Sequence, residues 1–114
     1  MTVKEAIRQA RELRPNALED STLVGWVYEL EGKLAETRHA PPPVKRWPQD
    51  QVLSMPPPVD GVYVAYLCAM IDYAIQEPEQ YANDMVVFNE KYDEAAAWWR
   101  RRHWPGPQDS FRTM

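Results

Sequence analysis

Apolar positions along the chain fall into four runs of helical period, and a proline-rich stretch separates the second run from the third. In the first run Val3, Ala6, Ile7, Ala10 and Leu13 share one helical face, with Lys4, Glu5, Arg8, Gln9, Arg11 and Glu12 opposite. Thr2 and Glu5 have capping-box spacing, which satisfies free N–H groups where a helix starts. Pro15 stops this helix after Arg14, because the residue before a proline is pushed out of the helical region. A second run follows. Leu23, Val27, Leu30 and Leu34 recur at near-heptad spacing, and they predict a helix reaching about Arg38 with Asn16, Asp20 or Ser21 as its cap. Gly25 and Gly32 weaken it by about 1 kcal/mol each relative to alanine, unless they admit another backbone at close range.

The third run, from Val59 to Gln76, is apolar on every side. Val62, Tyr63, Val64, Tyr66, Leu67, Met70, Ile71 and Tyr73 surround it instead of forming a stripe. A helix of that kind must be enclosed on all sides, either at the centre of the monomer or between subunits. The long intervening loop and the many aromatics tilt the expectation toward self-association. The fourth run opens at Pro78, well suited to a first helical position. Its stripe is Tyr81, Met85, Phe88, Tyr92, Ala95 and Trp99, and it closes on Arg100, Arg101, Arg102 and His103, where positive charge suits the helix dipole. Trp104-Pro105-Gly106-Pro107 ends it.

The expected fold is therefore all-α: a small bundle of about four helices with a long proline-rich loop, residues 40–60, between helices 2 and 3. Residues 1–104 form a single domain and residues 105–114 a tail. Seven of the eleven prolines lie between His39 and Gly61, in two PPP triplets. Both triplets exclude helix, and polyproline II is their natural conformation. Gln51-Val52-Leu53-Ser54-Met55 between them suits a short strand.

Composition adds limits. With 114 residues one domain is expected, and five Trp and six Tyr supply ample core material. A net charge of -4 argues against a surface given over wholly to nucleic acid, without excluding a local basic patch. A single cysteine, Cys68, makes no internal disulfide and, with two distant histidines, no zinc set. The N-terminus lacks a signal-peptide pattern, and the most apolar run, 62–75, is shorter than the ~20 residues of a membrane span. A protein of reducing cytoplasm, without membrane contact, is the expectation.

No catalytic pattern emerges: the chain carries neither a nucleophile elbow, nor a phosphate-binding glycine loop, nor paired metal ligands. An enzyme is not expected, and no cofactor or metal. Asp72, alone in an apolar helix, reads as a buried acid, paired with a basic group or facing a subunit boundary. The sharpest local patch is WWRRRHW, residues 98–104. Arg100, Arg101 and Arg102 there suit DNA phosphate, although helix termination and pairing with the chain's acids explain them equally simply. In the loop, Lys45, Arg46 and Trp47 pose the same choice, and a tryptophan on an extended segment suits a pocket on a partner protein.

The layout resembles one known group. TVKEAIRQARELRPNALEDSTLVGWVYELEGKL, the loop APPPVKRWPQDQVLSMPPPVDG and the rhythm IDYA…EQYAND…FNEKY are similar to the head–tail connector (adaptor) proteins of long-tailed phages and prophages, over about residues 2–104. The resemblance implies a ring of identical subunits under the portal, joining capsid to tail-completion proteins while DNA passes through the channel. It implies no catalytic residues, and a place in the virion neck after assembly in the host bacterial cytoplasm. Closed rings need two different surfaces per subunit. The interface residues expected on this basis are Lys45, Arg46, Trp47, Val52, Leu53, Met55, Tyr63, Tyr66 and Tyr73, with Arg100, Arg101 and Arg102 toward DNA. Deleting residues 44–55 is expected to leave a helical monomer that no longer assembles. The competing reading is a small helical adaptor or regulator of the cytoplasm that binds a protein partner through the proline-rich loop. A helix-turn-helix regulator fits less well, because the helix after Pro15 carries Glu29, Glu31 and Glu36.

Overall fold

The computed structural model describes residues 1–41 and 50–103. Pro42, Pro43, Lys45, Arg46, Trp47 and the tail 105–114 lie outside them. Four helices follow in order: α1 (Val3–Leu13), α2 (Asp20–Thr37), α3 (Gly61–Ala74) and α4 (Pro78–His103). The described residues thus form a small all-α bundle.

Local chemistry sets the ends. Thr2 caps α1 reciprocally: Glu5 N–H donates to Thr2 Oγ1 at 3.1 Å, and Thr2 N–H donates to Glu5 Oε1 at 3.3 Å. The start of α2 differs from expectation, since its cap position is Glu19 and no side chain bonds there. Asn16 spends its amide on the turn instead. Its Oδ1 accepts from Leu18 N–H at 3.0 Å and from Arg11 Nη1 at 3.0 Å, so the connection is locked before α2 begins. Among the described residues, glycines 25 and 32 admit no other backbone, because a Cβ built at either would meet nothing within 4 Å.

The all-round apolar helix is the centre of the monomer. α1, α2 and α4 all pack on α3, and Val62, Tyr63, Val64, Tyr66, Leu67, Cys68, Ala69, Ile71 and Asp72 are buried. α3 therefore calls for no second subunit to cover it: the chain encloses its own most apolar helix. Tyr73, near its end, is the large exception at 66% exposed.

The connection back into α3 is not held away from the helices. Leu53 N–H donates to Met1 O at 2.9 Å and Val3 N–H to Gln51 O at 3.0 Å, giving one antiparallel bridge between Thr2 and Val52 in place of a strand. Alternation then sends Leu53 and Met55 into the core while Val52 stays exposed. The second proline triplet is a turn, with Val59 N–H bonded to Pro56 O at 3.0 Å, and not an extended polyproline arm. Deleting 44–55 would thus remove core residues along with the loop, so it cannot leave the folded monomer anticipated from sequence. On α4 the expected stripe faces inward from Met85 onward, whereas Tyr81 packs on the exposed Tyr73 ring at 5.6 Å. Phe88 and Ala95 are buried, and Met85, Tyr92 and Trp99 pack against the core.

Candidate functional site

Three polar constellations stand out against this core. The first ties the return segment down. Glu31 on α2 is 4% exposed, yet it accepts from Tyr63 OH at 2.5 Å, Ser54 Oγ at 2.7 Å and Ser54 N–H at 3.1 Å. Tyr63 OH in turn accepts Met55 N–H at 2.9 Å. A buried carboxylate is tolerable only with such partners, and here it has three donors. Burial, then the Glu31 charge, pushes the Tyr63 phenol far above its ordinary value, so it stays a donor. Glu31 carries no obvious sequence signal, since it sits among other acids that read as a solvated helix face.

The second constellation lies where α1, α3 and α4 meet. Arg14, the C-cap of α1, grips Asp84 of α4 with Nε at 3.1 Å and Nη2 at 3.0 Å. Its Nε also lies 3.3 Å from Asp72 Oδ1 on α3, and Asp72 is fully buried. With its amide oriented so that nitrogen faces the carboxylate, as the surrounding donors and acceptors require, Gln80 completes the set: its nitrogen lies 3.2 Å from Asp72 Oδ1 and its oxygen 3.2 Å from Arg14 Nε. Burial, then the hydrogen bond and charge of Asp84, pushes the Asp72 carboxyl up to about 7, against the opposing pull of Arg14. The expectation that Asp72 pairs with a base is met, and the base is Arg14. Beside this cluster runs a groove of about 350 Å³, with Leu13, Val64, Cys68 and Val87 on its walls and Lys91 at its rim. Burial raises the Cys68 thiol to about 11, so it behaves as a core residue rather than a nucleophile.

The third is the end of α4. Arg102 sits over the Trp98 ring at 4.3 Å, and His103 stacks on Trp99 at 3.3 Å. Arg38, from the end of α2, lies 5.5 Å from the Trp99 centroid. Arg100, Arg101 and Arg102 are all exposed. Cation–π contacts account for Arg102 without any ligand.

The anticipated interface residues do not come together on one surface. Leu53, Met55, Tyr63 and Tyr66 are buried in the chain's own core and have no face to offer a partner. Tyr66 OH is occupied with Glu29 at 3.0 Å, and its ring packs 5.0 Å from Phe88. The physical reason is the return segment, which supplies the side chains that close over α3. Val52 and Tyr73 remain exposed, on different elements. Lys45, Arg46 and Trp47 lie outside the described residues. Among the described residues no group of three His, Cys, Asp or Glu side chains is arranged to hold a metal ion, and no helix is long and apolar enough to cross a membrane.

In comparisons with known proteins, no family model, no curated protein and no solved structure matches this chain.

Proposed function

We propose that this chain is a structural subunit of the head–tail connector kind, which assembles as a ring beneath a portal and joins it to tail-completion proteins. What supports this reading is the apolar surface left uncovered on a well-packed bundle. Tyr73 and Ile75 at the end of α3, and Val86 and Val87 on α4, are exposed at 66%, 41%, 58% and 44%. Tyr73 borders the hollow at the α3–α4 turn and Val87 the groove beside α1, and two separate apolar patches suit the two different surfaces that a closed ring needs. Tyr73 is further held in place by the Tyr81 ring at 5.6 Å, which lowers the entropy cost of using it as an anchor. In such a ring Lys45, Arg46 and Trp47 would contact a neighbour or the portal, and Arg100, Arg101 and Arg102 the DNA in the channel.

The test is mass by light scattering on the full chain, alone and with a long-tailed phage portal protein. A ring-sized species is expected, reduced to monomer by Tyr73→Glu with Val86→Glu and unaffected by Val52→Glu. A strict monomer under both conditions overturns the reading.

A further inference from the structure

The junction of α1, α3 and α4 has a property that does not depend on the assembly reading. We propose that Arg14, Asp72 and Asp84 form a proton-operated clamp, which fastens the first turns of α4 to α1 and loosens them as pH rises.

The geometry carries this in three steps. First, residues 78–87 have few apolar anchors among the described residues: no residue of the stretch is buried, and Tyr81 rests on the exposed Tyr73 ring. The buried residues of α4 are Phe88, Ala95 and Ala96, and before Phe88 only Met85 packs against the core as a partly buried apolar side chain. The ties from this stretch across to α1 are polar: Gln80 and Asp84, both reaching Arg14. Second, the stretch sits on a hinge. Gln76 is in the left-handed region at φ 61, and Pro78 opens α4 immediately after. Asp72 stands on both sides of this hinge, its backbone carbonyl accepting Glu77 N–H at 2.9 Å while its side chain faces Arg14 and Gln80.

Third, the charges do not balance. One guanidinium faces two carboxylates, so the fully ionised cluster buries a net negative charge. With a proton on Asp72 the cluster is neutral, and that proton serves as a hydrogen-bond donor toward Asp84. The groups facing Asp72 are Arg14 from α1, Cys68 on its own helix, and Gln80 and Asp84 from α4, with Glu77 and Tyr81 lining the shallow hollow beside it. From α2, Asp20 is taken up by Arg11 at 2.7 Å.

The direction follows from linkage. The closed cluster holds its proton more tightly than an open one, so closure is fully supported below the ordinary carboxyl value of 3.8 and loses support until pH reaches about 7. Above that both states are ionised and the effect levels off.

Amide hydrogen exchange on the full chain tests it, with rates expressed as protection factors to remove the intrinsic pH dependence. Protection in 78–87 is expected to fall at least about tenfold between about pH 5 and 7 and to level off above, while α2 stays unchanged. Asp72→Asn, neutral at every pH, is expected to hold protection high and flat. A flat wild-type profile overturns the clamp, and so does the same fall in Asp72→Asn. A carboxyl ¹³C titration of the wild type decides independently of whether the variant folds: a midpoint near 7 supports the clamp, and an ordinary midpoint near 4 overturns it.

Discussion

Replacing Tyr63 by phenylalanine isolates the polar part of a fully buried contact. The ring volume is preserved in a site with no solvent exposure, so no cavity opens. What disappears is one hydroxyl that donates to Glu31 at 2.5 Å and accepts Met55 N–H at 2.9 Å. A hydrogen bond to a charged partner contributes about 1.5–3 kcal/mol, and an orphaned buried amide costs about 1–3 kcal/mol. Because Ser54 continues to satisfy Glu31 through two donors, the combined loss should be about 2–4 kcal/mol. Urea unfolding followed by tryptophan fluorescence reads this directly. With a slope of about 1–3 kcal/mol per molar, the midpoint should drop by about 1–2 M. Repeating the substitution in a Glu31→Gln background should shrink the effect, since both changes act on one bond. A loss below about 0.5 kcal/mol, or full additivity in the cycle, would refute the view that this hydroxyl anchors the return segment to α2.

Two further changes should stabilise the chain. Gly25→Ala and Gly32→Ala lie in the middle of α2 with nothing for the added methyl to strike, so each is expected to raise stability by about 1 kcal/mol, checked by thermal unfolding. If either variant unfolds as before but fails to form the assembled species, the glycine is needed by a neighbouring subunit instead. Gln76→Gly relieves a left-handed residue at the end of α3 and should add about 1 kcal/mol, read as a melting temperature several degrees higher. No gain would mean that the glutamine side chain compensates for its backbone.

Much of the architecture was legible because it is local. The capping box at Thr2, the stop at Pro15, the start at Pro78 and the inward stripe of α4 each depend on residues a few positions apart. What was not legible depends on distant partners. Asp72 announced itself as an acid in an apolar helix, but Arg14 lies 58 positions away and reads as an ordinary helix-end base. Glu31 was hidden more thoroughly, since its neighbours Glu29 and Glu36 share its chemistry and face solvent. The interface residues were misplaced for a related cause. Leu53 and Met55 sit between two proline triplets that speak for an extended arm, and only tertiary packing reveals that alternation turns them into core. An apolar helix without a stripe signals enclosure, but not by whom.

The Thr2–Val52 bridge also bears on what this protein can carry. Ala40 N–H is held by Ala35 O at 2.9 Å and Leu53 N–H by Met1 O at 2.9 Å, so both ends of the intervening connection are moored to one rigid body. Lengthening a chain between two fixed moorings costs little, about 0.6 kcal/mol for each doubling. A peptide spliced between Ser54 and Met55, inside the second mooring, should by contrast unfold the domain, read as loss of its cooperative melt, because it parts the two backbone amides that Glu31 and Tyr63 hold. The bridge thus sets where the chain re-enters the core by the position of the N-terminus of α1, whatever the length of the connection that leads to it.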